Sequence, residues 1–185
     1  MGGMTTRVTH DHGTPLTAGW EVLDEMDHRR AWALFDEKFR FEPRAAKDSA
    51  LSIVEPVPSL TFDFRPTPAG NESAWIARND AVNAEALRCF VTEFADNPVF
   101  IVLDWQHQSH SFDAGSHAAA GPAAEWRKPV YPWGDYCVFA RDDFSEGTFS
   151  QPWHNTLCVF GDRMVSTLGR TLSTWLPVLR TDGQC

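Results

Sequence analysis

Residues 99–110 read VFIVLDWQHQSH: five apolar positions run without a break into a carboxylate. A short, β-branched apolar run of this kind marks a central strand. If the strand continues past Asp104, successive side chains alternate between its faces. Asp104, Gln106, Gln108 and His110 then form a polar stripe on one face, and Trp105, His107 and Ser109 point the other way. The plainer meaning of the stripe is a solvated face. The sharper one is a ligand-facing wall with an Asp104–His110 pair available for acid–base work. Asp104 leaves a core strand and needs a partner there, because a buried unpaired charge is costly. His107 and His110 have the spacing of a helical metal pair, but on a strand they face opposite ways and cannot share an ion.

Outward from this strand, residues 24–39 predict a helix with Asp24 as N-cap, and Trp32, Phe35 and Phe39 share its apolar face. Pro43 forbids its continuation. SLTFDFRP (59–66) alternates as a half-buried strand, and residues 80–95 predict a second helix with Leu87, Phe90, Val91 and Phe94 on one stripe. Residues 113–129, rich in Gly, Ala and Pro, read as a loop, and YCVFA (136–140) as a strand. TLCVF (156–160) and RMVSTL (163–168) read as a hairpin turning on Gly161-Asp162. LSTWLPVLR (172–180) reads either as a short helix ending near Leu176 or as an edge strand, since Pro177 interrupts it. The order predicts an α+β fold, a mainly antiparallel sheet of about five or six strands with two helices packed on one face. The expected organisation is a disordered leader (1–18), a single domain (19–182) and a tail (183–185).

The net charge of −9 argues against a nucleic-acid partner, which needs a basic patch, and against an anionic membrane surface. No apolar stretch approaches a membrane span, and the leader lacks a secretory core, so a cytoplasmic location is expected. Its Met-Gly-x-x-x-Thr start fits an acylation pattern only formally. Cys89, Cys137, Cys158 and Cys185 lie far apart with no Cys-x-x-Cys pair, and all read as reduced thiols. Eight Trp and thirteen Phe are a heavy aromatic load, serving burial or interface anchoring.

A second stretch with chemical content is DDFSEGTFSQPWHN (142–155). Its acids do not have the spacing of a calcium loop, and turn chemistry accounts for them more simply. Trp153 and His154 stand just ahead of a strand, where a lone histidine is first read as a structural hydrogen-bonder. A nucleophile elbow, a phosphate-binding glycine loop and a dinucleotide fingerprint are all missing. Cys158 as a nucleophile beside His154 is disfavoured by its apolar strand.

DWQH (104–107), PWGDYCVFARDDFSEGTFSQPWHNTLCVFG (132–161) and WLPVLR (175–180) resemble the bacterial domain of unknown function 2716 family. AWALFDEKFRFEP and PVPSLTFDF resemble its N-terminal half, so the likeness covers roughly residues 20–182. The resemblance implies a compact bacterial domain and carries over no activity or site residue. The leading expectation is a non-catalytic binding module for a partner protein or small ligand, with Trp105, Gln106, Gln108 and Trp153 as contact candidates. The rival is a small hydrolase or transferase using Asp104, His107, His110 and His154. No cofactor or metal site is expected, and the residues leave the oligomeric state open.

Overall fold

The computed structural model describes residues 9–10, 14–15, 18–43, 51–65, 72–132 and 134–184. In chain order come β1 (Thr9–His10), β2 (Thr14–Pro15), β3 (Trp20–Val22), α1 (Glu25–Phe39), β4 (Ser59–Asp63), α2 (Glu72–Glu93) and β5 (Val99–Asp104). They are followed by β6 (His110–Asp113), α3 (Ala114–Ala119), β7 (Cys137–Ala140), β8 (Gly147–Gln151), β9 (Thr156–Phe160), α4 (residues 162–172) and β10 (Val178–Thr181). β1 and β2 pair as a small ribbon, and the other eight strands form one sheet in the order β10-β4-β9-β8-β7-β5-β6-β3. Every neighbouring pair in it is antiparallel. Among the described residues, no helix is long and apolar enough to cross a membrane.

The α+β class holds, but the sheet has eight strands rather than five or six, and its helices are not confined to one face. Phe100 and Val102 of β5 pack against Phe90 of α2, in a core that also takes in Met164, Leu168 and Leu172 of α4. Leu103 points the opposite way, into a second core with Phe35 and Phe39 of α1, Val138, Phe149 and Phe160. A strand buried on both sides loses its alternation, which is why VFIVL is apolar throughout. The same fact requires helices on both faces.

Local signals set α1 well. The Asp24 carboxylate accepts the Asp27 N–H at 2.8 Å, and Arg40, at a φ of 52°, ends the helix. α2 starts at Glu72, about two turns before the expected residue 80. α3 lies inside the segment expected to be loop, capped by Asp113, whose Oδ1 accepts the Ser116 N–H at 3.0 Å. Of the alternatives for residues 172–180, the edge strand is realised as β10, directly after Pro177. The expected leader lies largely outside the described residues, as does Cys185.

The expected Gly161-Asp162 hairpin is wrong. Residues 162–172 are helical, with Val165–Gly169 wound as a π-turn. Met164, Leu168 and Leu172 recur every four residues and are buried, a helical period where a strand was read. Gly161, at a φ of 92°, turns the chain out of β9, and a Cβ there would lie 2.2 Å from Glu146 Oε2. Glu146 caps the helix: its Oε1 accepts the Arg163 N–H at 3.0 Å and its Oε2 the Met164 N–H at 2.9 Å. The acidic cluster of residues 142–146 thus includes a helix cap. Removing a capping oxygen costs about 1 kcal/mol and at most ~2. Glu146→Ala should lower the unfolding free energy by that amount, seen as a lower denaturant midpoint at unchanged slope; an unchanged midpoint would remove the capping role.

Candidate functional site

The strand register collects the candidate residues at one end of the sheet. Asp104 lies opposite Cys137, Cys137 opposite Ser150, and Ser150 opposite Leu157. The loop after β5 and the Pro152–His154 turn after β8 therefore open on the same rim, two strand spacings or about 10 Å apart.

The strand does not run on through residues 105–109. The His107 N–H donates to the Asp104 carbonyl at 3.1 Å, and Gln106 takes a left-handed φ of 64°, so the chain turns sharply. This turn dissolves the expected polar stripe. Gln106 in the turn and Gln108 just after it are exposed, and Trp105 leans on Tyr136 at the core under α1, with ring centroids 5.4 Å apart. The turn also folds His107 back over Asp104. His107 Nε2 lies 3.2 Å from Asp135 Oδ2, and one donor atom each from Asp104, His107 and Asp135 lie within 4.8 Å of one another.

Asp104 is fully buried, and Lys128 Nζ sits 2.5 Å from its Oδ2. Burial pushes the Asp104 carboxyl up from the ordinary carboxylate range, while Lys128 pulls it back. Asp104 Oδ1 has no hydrogen-bond partner among the described residues. Ser109 Oγ meets His28 Nδ1 at 3.0 Å, which ties the loop to α1.

His110 is opposite both Val102 and Val22, so it faces the α2 side of the sheet, as Asp104 does. It is only 3% exposed and stands edge-on to Trp20, and neither ring nitrogen has a hydrogen-bond partner among the described residues. Burial, with Arg127 and Lys128 nearby, lowers its pKa to about 4. His154 belongs to the opposite face, where its Nδ1 is hydrogen-bonded to Gln151 Nε2. Gln151 Nε2 also donates to Ser52 Oγ at 3.1 Å, and Ser52 Oγ meets Tyr136 Oη at 3.0 Å. The structure thus brings together Asp104 and His107, and separates His154 from them.

Trp153 is 44% exposed and shares a shallow groove with Trp75, Tyr131, Pro132, Gly134, Pro152 and Asn155. The groove holds about 170 Å³. Tyr131 is stacked on Phe64 at 4.2 Å, which fixes the groove floor to the core. One loop serves both features: Lys128 and Asp135 reach the Asp104 cluster, while Tyr131, Pro132 and Gly134 line the groove. Lys128, Tyr131, Asp135 and Trp75 were missed in the sequence, since nothing local distinguishes them. Cys89, Cys137 and Cys158 are buried free thiols, and burial pushes Cys158 up to about 12, as expected of an inert thiol.

Sheet and rim together define an α+β protein whose polar and exposed aromatic side chains gather at one end of an antiparallel sheet. The chain belongs to the family described as protein of unknown function (DUF2716), whose model matches residues 22–165. It is similar to the uncharacterized protein YxiI of Bacillus subtilis (strain 168), 27% identical over 152 residues, or 80% of this chain and 91% of that protein. No solved structure matches it.

Proposed function

We propose that the chain is a non-catalytic binding module for a basic partner protein, anchored at the Trp75–Trp153 groove. The size of the groove carries this reading. Pockets that enclose a drug-sized ligand span about 300–1,000 Å³, and this one holds about 170 Å³. That is room for one or two side chains of a partner. Its aromatic and proline walls suit an extended segment presenting a proline or a cationic side chain. The net charge of −9 favours a basic partner through long-range attraction.

Trp153→Ala removes a half-exposed ring without opening the core, so the variant should fold normally. A central aromatic anchor is worth about 2 kcal/mol or more, roughly a 30-fold loss of affinity. Tagged wild-type protein recovered from its host should carry a basic protein in stoichiometric amount, and calorimetry with Trp153→Ala should show that loss. A wild-type chain recovered alone, or equal binding by the variant, would sink the proposal.

A small hydrolase or transferase is the second reading, and the Asp104–His107–Asp135 cluster favours it. Asp135 orients His107 as an acid–base pair needs. Under this reading His107→Ala abolishes turnover of an ester, phosphoester or glycoside panel and leaves partner capture intact. Under the first, the wild-type protein turns over none of them.

A further inference from the structure

We propose that Asp104, His107 and Asp135 form a binding site for a first-row divalent transition-metal ion, with Zn²⁺ as the test case. This site does not depend on the groove reading. One imidazole and two carboxylates form a mixed nitrogen–oxygen set that suits such ions better than Mg²⁺ or Ca²⁺, which prefer oxygen throughout. Their donor atoms already lie within 4.8 Å of one another. An ion about 2.1 Å from each ligand tolerates donors up to roughly 4 Å apart, so the set must close by about an ångström. His107 and Asp135 have room for that movement, being 54% and 32% exposed in their side chains.

A second, independent observation points to a ligand. Asp104 is completely buried, yet its Oδ1 has no hydrogen-bond partner among the described residues. Fully buried carboxylate oxygens are rarely left this way. The positive charge it requires is now supplied by the Lys128 ammonium, 2.5 Å from Oδ2. Lys128 is paired with Asp104 while Asp135 adds a second carboxylate to the cluster, so one ammonium leaves it with a net negative charge. A divalent ion neutralises both carboxylates and frees Lys128, whose side chain is already 27% exposed, to swing into water. The lysine is thus a competing cation that keeps the buried carboxylate paired when no metal is bound. Three protein ligands leave coordination positions for water or a further ligand.

The test is calorimetric titration of the chelator-treated full chain with Zn²⁺. The wild-type protein should bind one equivalent that His107→Ala and Asp135→Asn both lose, or bind more than tenfold more weakly. Zn²⁺ should raise the melting temperature of Lys128→Met more than that of wild type, because the metal then relieves an unpaired buried carboxylate. Circular dichroism confirms that the variants fold. Identical stoichiometry and affinity in wild type, His107→Ala and Asp135→Asn, including no binding by any, would overturn the site. A smaller thermal shift in Lys128→Met than in wild type would overturn the exchange between lysine and metal.

Discussion

Replacing Glu55 by alanine should destabilise the protein by about 3–5 kcal/mol, the scale for breaking one side of a buried ion pair. Glu55 and Arg180 are nearly enclosed, with 3% and 12% of their side chains exposed. Arg180 Nη2 donates to Glu55 Oε1 at 2.6 Å and Nε to both carboxylate oxygens at 3.1 Å, while Thr61 Oγ1 adds a donor at 2.8 Å. The pair fastens β10 to the segment that leads into β4, which Thr61 of β4 also holds, at the outer edge of the sheet, where among the described residues β4 alone pairs with β10. Glu55→Ala removes the carboxylate that the guanidinium grips in a poorly solvated place, and Arg180→Ala removes the guanidinium from the carboxylate. The double substitution Glu55→Leu/Arg180→Leu should cost far less than the sum of the two singles, since no buried charge is then left alone. Urea unfolding of the four proteins measures this coupling. Single-variant losses below about 1 kcal/mol, the range of surface pairs, would show that water reaches the pair and that the edge is held by its backbone ladder instead.

How much of this was legible in the chain depends on whether each signal was local. α1 was readable because Asp24 and the Phe35–Phe39 spacing are neighbours in sequence. β5 was readable because burial on both faces leaves an unbroken apolar run. β8 carries Thr148, Ser150 and Gln151 into a buried strand, so its composition hid it. α4 was misread because a glycine after a strand suits a hairpin and a helix start equally well. Its four-residue apolar period, together with the acid Glu146, 17 and 18 residues before the N–H groups it caps, was the better guide. The candidate site was half visible. Asp104 and His107 were singled out, but alternation placed them on opposite faces, and only the left-handed Gln106 reverses that. Glutamine rarely takes that conformation, so its identity gave no warning. Asp135 is 28 residues from His107 and Lys128 lies in the same loop, and only folding brings them back to Asp104.

His110 should make the protein acid-labile by about 3 kcal/mol between pH 7 and pH 4. The side chain is buried among Trp20, Val102 and Val22, with Arg127 and Lys128 close enough to oppose a further positive charge. Its pKa falls from 6.5 to about 4 on folding. The unfolded chain therefore takes up a proton that the folded chain refuses. Above the unfolded value both states are neutral and His110 contributes nothing to the pH dependence. As pH falls through 6.5 the unfolded state gains the proton and stability declines, until near pH 4 the folded state is protonated too and the loss is complete. A shift of this size, at about 1.4 kcal/mol per pH unit, gives the ~3 kcal/mol. Carboxylates titrate over the same interval, so the informative quantity is a difference. In chelator-containing buffer, His110→Phe keeps a ring against Trp20 and removes the titration, and its stability relative to wild type should rise steadily as the pH is lowered. A constant difference across that range would mean that the folded protein accepts the proton, and that the rim beneath Lys128 is open to water rather than closed over His110.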